Sequence, residues 1–198
     1  MFMQDISRLS AEPVSAEPIA SPALPRPTAP HTRAALAMGM FGPTLVETEK
    51  GWTPASELRI GDRLHTLDGG LQHIAALSRR AVLPAERAVK IKGGHFDACD
   101  DLMLLPGQPV LLQTVSLMAA PYARLKASAL TSTIGATITL APQKAEIITP
   151  IFAEEEAIWA QSGVLLLCPG IRDSLSAYPA VDDTLASFFL TERQRRFG

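Results

Sequence analysis

Residues 44–77, TLVETEKGWTPASELRIGDRLHTLDGGLQHIAAL, constrain this chain more than any other stretch. Short apolar segments alternate with turn residues at close intervals, which suits strands and leaves no room for long helices. A first strand is expected over 44–48, followed by a charged turn at Glu49-Lys50-Gly51. Thr53 then reads as the N-cap of a brief helical turn. Pro54 would take its first position, where a missing N–H costs nothing. Gly61-Asp62 marks a turn into a second strand over 63–67, and Asp68-Gly69 is a hairpin signal. A third strand is expected over 71–78. Nothing in this run is a catalytic group; it is a folding pattern.

The pattern resembles one family, the Hint domains, the fold shared by hedgehog autoprocessing domains and inteins. The likeness is to a bacterial branch outside the true inteins. It rests on Thr44 leading the first strand, on Leu58-Arg59-Ile60-Gly61-Asp62, and on Thr66-Leu67-Asp68-Gly69-Gly70 in that order. It extends over about Met40 to Gly170. The resemblance implies an all-β, horseshoe-shaped domain with self-cleaving chemistry. In that chemistry a Cys or Ser at the start of the first strand attacks the preceding carbonyl. A histidine protonates the leaving amine, and a hydroxyl positions the bond.

The positions that match those roles in this chain hold other residues. Where the family has Cys-Phe, the chain reads Gly39-Met40-Phe41-Gly42-Pro43-Thr44. A one-residue deletion places Met40 at the nucleophile, and a gapless match places Gly39 there. A thioether has no proton to lose, and glycine has no side chain. The second block resembles Ser-Pro-Gln-His but reads Leu105-Pro106-Gly107-Gln108, and glutamine cannot shuttle a proton. In the third block Thr149 stands for one histidine, Ala153 for an aspartate and Glu155 for a second histidine. The apolar frame persists while the reactive positions differ, so no catalytic, metal or cofactor residue is assigned.

The remaining chain continues the strand pattern. Strands are expected over 87–92, 102–105, 110–115, 137–140 and 164–168, and a helical turn over 125–130. Residues 146–152 and 157–160 are expected to pair around Glu154-Glu155-Glu156. Residues 1–37, with Pro13, Pro18, Pro22, Pro25, Pro27 and Pro30 among Ala and Ser, read as a flexible arm. The Hint-like domain spans 38–171, and 172–198 forms a helical extension. There Asp183 caps a helix with Leu185, Phe188 and Phe189 on one face. Arg193, Arg195 and Arg196 form a solvated end that favours the helix dipole.

The chain has 198 residues, ample for one core, and a formal charge of −2 that gives no pull toward nucleic acid or anionic lipid. Three prolines interrupt the uncharged stretch 103–123, so a membrane span is not expected there, and no secretory signal is seen at the N-terminus. Cys99 and Cys168 make no disulfide framework. His95, Asp97 and Cys99 form the best ligand-like cluster; zinc is one reading and a loop with a part-buried thiol is the other. His65 and His73 lie in adjacent strands of one hairpin as surface residues. Two functions from different classes follow. One is a Hint module that has lost self-cleavage and serves as a structural or protein-interaction domain. The alternative is an active autoprocessing domain performing an N–S acyl shift with a shifted nucleophile such as Cys99 or Cys168.

Overall fold

The computed structural model describes residues 37–114, 117–172 and 174–197. The proline-rich arm, but for Ala37, lies outside them. The described chain is mostly strand. In order it forms β1 (Met40–Phe41), β2 (Leu45–Thr48), β3 (Gly51–Pro54), β4 (Arg63–Thr66), β5 (Gly70–His73), β6 (Ala76–Ala81) and β7 (Arg87–Ile91). There follow β8 (Leu102–Leu104), β9 (Pro109–Gln113), β10 (Tyr122–Lys126), β11 (Ala136–Leu140), β12 (Glu146–Ile151), β13 (Glu156–Ala160) and β14 (Val164–Cys168). The α-helix α1 (Asp183–Phe197) ends the described residues, and 3-10 turns lie at Ala55–Glu57 and Ala127–Ser132.

The strands make two sheets. One runs β11-β7-β8-β1-β12-β6, and the other β10-β9-β14-β13-β2-β4-β5, with β3 added beside β2. The two-residue strand β1 sits inside the first sheet, pairing Met40 with both Ile148 and Leu104. β14 is buried at every position because both faces of its sheet are covered. Val164, Leu166 and Cys168 point into the main core, while Leu165 and Leu167 pack with Leu111 and Ala157 on the other side. A strand covered on both faces becomes a continuous apolar run, which is why VLLLC lacks alternation. By contrast β2 and β4 alternate, burying Val46 and Thr48, Leu64 and Thr66.

Several local expectations change in three dimensions. The Thr53 hydroxyl caps nothing; it lies in β3, 3.2 Å from Gly51 O and from Thr48 Oγ1, and Pro54 holds the cap position. The expected strand 71–78 divides into β5 and β6, which belong to different sheets. Residues 122–126 continue as β10 because they pair fully with β9; only 127–132 turn, as a 3-10 helix. β12 and β13 do not pair. β12 bonds to β6 and β13 to β14, and Glu154-Glu155 carry the chain from one sheet to the other.

The terminal helix also differs from its sequence reading. Its buried face is Ala186, Phe189, Leu190 and Arg193, while Leu185 and Phe188 are exposed. Asp182, one residue earlier than expected, caps the start: its Oδ1 accepts from the Thr184 N–H at 2.8 Å and from its hydroxyl at 2.9 Å. Those bonds hold the Asp182 carboxyl below its ordinary pKa. Arg193 is not a solvated end. It turns inward and donates to Asp97 Oδ2 at 2.7 Å. Among the described residues no helix is long and apolar enough to cross a membrane.

Candidate functional site: the clamped peptide before β1

The backbone at 38–39 enters the fold between β8 and β12, and it is gripped there on both sides. The Gly39 N–H donates to Gln108 Oε1 at 2.9 Å. The Thr149 hydroxyl donates to the Met38 carbonyl at 3.1 Å. The Met38–Gly39 amide is therefore held by one acceptor and one donor, both from buried side chains; Gln108 is 1% exposed and Thr149 3%. The next carbonyl, Gly39 O, accepts from Leu105 N at 2.9 Å.

Gln108 is itself fixed. Its Nε2 donates to Leu167 O at 2.9 Å and Pro109 O at 3.0 Å. Those two carbonyls determine the amide orientation: the side facing Gly39 must be the oxygen. Its backbone is pinned as well, with Gln108 N bonded to Leu105 O and Ala127 N to Gln108 O. The Pro106-Gly107 turn that carries Gln108 has a steric reason for its glycine, since a Cβ there would lie 2.6 Å from Ala37 O.

Gly39 is required at its own position. Its φ is +144°, where side chains strain the backbone, and a Cβ would fall 2.5 Å from Ile147 Cγ2 and 2.9 Å from Thr149 Oγ1. Met40 is 1% exposed and packs in the main core.

Of the positions matched to the family's reactive groups, the structure gathers Gly39, Gln108 and Thr149 around the Met38–Gly39 amide, with Leu105 N bonded to the next carbonyl, Gly39 O. Ala153 and Glu155 lie apart, in the connection between sheets; Ala153 O accepts from Arg172 N, and Glu155 lies 4.0 Å from Arg124. The Leu167 carbonyl that orients Gln108 was invisible to sequence reasoning, because a backbone acceptor carries no residue signature. Both thiols are free. Burial, and then Glu155 and Glu156, push the Cys168 thiol well above its ordinary range, which disfavours a thiolate. Cys99 is exposed, in a loop whose N–H at Cys99 bonds to Gln161 O. His65 and His73 are not directly opposed: His73 faces Arg63 and His65 faces Leu71. No group of three or more His, Cys, Asp or Glu among the described residues is arranged to hold a metal.

The geometry and the sequence meet at one class of protein. A family profile for the Hint domain matches residues 40–165, well over half of the chain. The chain belongs to the Hint family. Solved structures resemble it loosely. A bacterial intein-like domain from Clostridium thermocellum has a TM-score of 0.47 at 10% identity, over 65% of this chain and 96% of that one. The gp41-1 intein has a TM-score of 0.43 at 12% identity, over 65% and 97%. The MchDnaB-1 intein has a TM-score of 0.37 at 10% identity, over 64% and 98%. A likeness of this degree assigns no role to any residue. No curated protein sequence matches the chain.

Proposed function

We propose that this Hint domain no longer cleaves itself and serves as a structural or protein-interaction module. One observation carries the reading: the amide nitrogen that precedes β1 faces an acceptor. Self-cleavage needs a proton delivered to that nitrogen as the amine departs. Gln108 Oε1 takes a hydrogen bond from Gly39 N–H and has no proton to give. The Thr149 hydroxyl on the Met38 carbonyl would polarise it, as an oxyanion donor does. That half of the apparatus has nothing to act with, because neither Gly39 nor Met40 carries a nucleophile. The same groups then act as a staple, tying the incoming chain to the turn before β9 and to β12 through hydrogen bonds from buried side chains. A partner, on this reading, is a protein; a formal charge of −2 gives no support to nucleic acid or anionic lipid.

The test is an intact-mass measurement of the full chain after a day at neutral pH with hydroxylamine or a thiol. An unchanged mass near 21.2 kDa is expected. Two fragments breaking at Met38–Gly39 or Gly39–Met40 would show that the chemistry survives with other groups, and would overturn the proposal.

A further inference from the structure

The strands that end a sheet leave backbone groups unpaired, and this fold treats its ends unequally. One sheet ends at β11 and β6, the other at β10 and β5, with β3 beside β2. On β6, Arg79 and Arg80 bring charge to the edge, paired with Glu146 and Glu86. The edge of β10 is covered by the segment after β14: Arg124 N donates to Pro179 O at 2.9 Å, and Val181 N to Arg124 O at 3.0 Å. β3 ends in Pro54, which has no N–H. β5 begins at a glycine and ends at His73, whose ring reaches back to Gly61 O at 3.1 Å. Charge, proline and covering segments keep strand edges from pairing with other chains.

β11 has none of these protections. Residues 127–143, ASALTSTIGATITLAPQ, hold no charged side chain. β7 pairs with β11 on one side, and no strand of the described residues lies on the other. The ladder determines which groups point outward. Gly135 O accepts from Lys92 N, and Ala141 N donates to Glu86 O, so the odd-numbered residues between them face β7. Ala136, Ile138 and Leu140 therefore turn N–H and C=O away from it. Ala136 is 5% exposed, but Ile138 is 48% and Leu140 67% exposed. Among the described residues, Leu140 O takes only a long local contact, from the Thr139 hydroxyl at 3.5 Å. An accessible, uncharged edge of β-branched and apolar residues is a template for another strand.

We propose that β11 pairs with β11 of a second copy of this chain, antiparallel, about a twofold axis at Thr139. In that register the edge is self-complementary, as an isologous interface must be. Ile138 of one copy stands opposite Leu140 of the other. Both present outward N–H and C=O groups, so each such pair exchanges both of its hydrogen bonds. On one face Ile138 and Leu140 cover each other across the axis, which removes exposed apolar surface from water in both copies. On the other face Thr139 meets Thr139, a favoured cross-strand pair, and no like charges are brought together. Ala136, already covered, is not needed. The inference rests on the interaction role proposed above, to which it gives a partner, and not on the loss of self-cleavage.

The test is sedimentation equilibrium of the full native chain across a dilution series. The mass is expected to rise from near 21.2 kDa toward twice that value with concentration. So short an edge should give a dissociation constant on the order of 100 μM. Thr139→Lys and Thr139→Glu each set like charges opposite one another and should weaken pairing about tenfold. Mixed in equal amounts, the two variants should pair again, because the introduced charges are then opposite in sign. Should they fail to fold, Leu140→Pro serves in their place. It removes an outward N–H at an exposed position and should also weaken pairing about tenfold. A chain that stays monomeric at every concentration overturns the proposal and leaves the edge to a strand from a different protein. A dimer unmoved by Thr139→Lys or Leu140→Pro, or folded charge variants that do not pair when mixed, overturns it as well. Cleavage is read separately, from the intact mass of the denatured chain, so this proposal and the loss of self-cleavage fail by different results.

Discussion

The clamp before β1 and the cleft beside α1 differ in almost every physical respect. The clamp is made of Gly39, Gln108 and Thr149, none of them ionisable, and is almost wholly buried. Its partners are backbone groups of fixed strands, so each hydrogen bond has a single geometry. The cleft, lined by residues 94–99 of a loop, by Thr133 and Ile134, and by Leu190, Arg193 and Gln194 of α1, mixes ionisable and apolar groups, and its Arg193–Asp97 ion pair is partly open to water. The clamp determines how the chain enters the fold; the cleft leaves charged and apolar side chains side by side in an open hollow.

The largest effect is expected where the clamp tolerates nothing. Gly39→Val places a branched side chain at φ +144° against Ile147 and Thr149. It should lower unfolding free energy in urea by about 4 kcal/mol. A loss under about 1 kcal/mol would mean that 38–39 lies loosely on the fold and the contrast with the cleft fails.

Gln108→Leu keeps the volume but strands the Gly39 N–H and the Leu167 carbonyl, both buried. A loss of about 3 kcal/mol follows from unsatisfied buried groups. Amide exchange at Gly39 should accelerate in the same variant, which separates loss of the clamp from general softening.

Thr149→Val removes one hydroxyl at nearly constant shape, and with it the bond to Met38 O. About 1 kcal/mol is expected in the same urea titration. A much larger loss would show that the hydroxyl does more than hold a carbonyl.

The smallest effect separates the two regions by pH. The clamp contains no titrating group. α1 is capped by Asp182, whose folded pKa lies below its ordinary value because of Thr184. A depressed carboxylate contributes stability that is present above its unfolded pKa of about 3.9 and lost as pH falls through the lower folded value. Acidification from pH 5 to 3 should thus speed amide exchange in the first turn of α1 and leave Gly39 unchanged, once intrinsic exchange is corrected. Equal loosening at both places would remove the distinction.

Much of the fold was legible in local residues. Asp68-Gly69 sets the β4–β5 hairpin, because turn chemistry is written in adjacent positions, and the strand expected over 87–92 forms as β7, although Ala88, on the face shared with Lys90, is buried as well as Val89 and Ile91. The failures share a cause. Residues 71–78 and 146–160 each look continuous, yet each crosses between sheets, and a crossover leaves no local mark. In α1, Leu185, Phe188 and Phe189 suggested the buried face, whereas packing against the 3-10 turn Ala127–Ser132 kept Phe189 inside and selected Ala186 and Leu190 in place of the other two.

The sequence alone determined the strand-rich class, the Hint pattern over residues 44–77, and which residue types occupy the matched reactive positions. These depend on side-chain chemistry and spacing, which a chain carries before it folds. Only the tertiary structure decided that Gln108 presents its oxygen to Gly39, that Thr149 reaches Met38 from far along the chain, and that Arg193 turns inward to Asp97. Each of those contacts joins groups distant in sequence. Their geometry arises from how two sheets and a helix enclose one core.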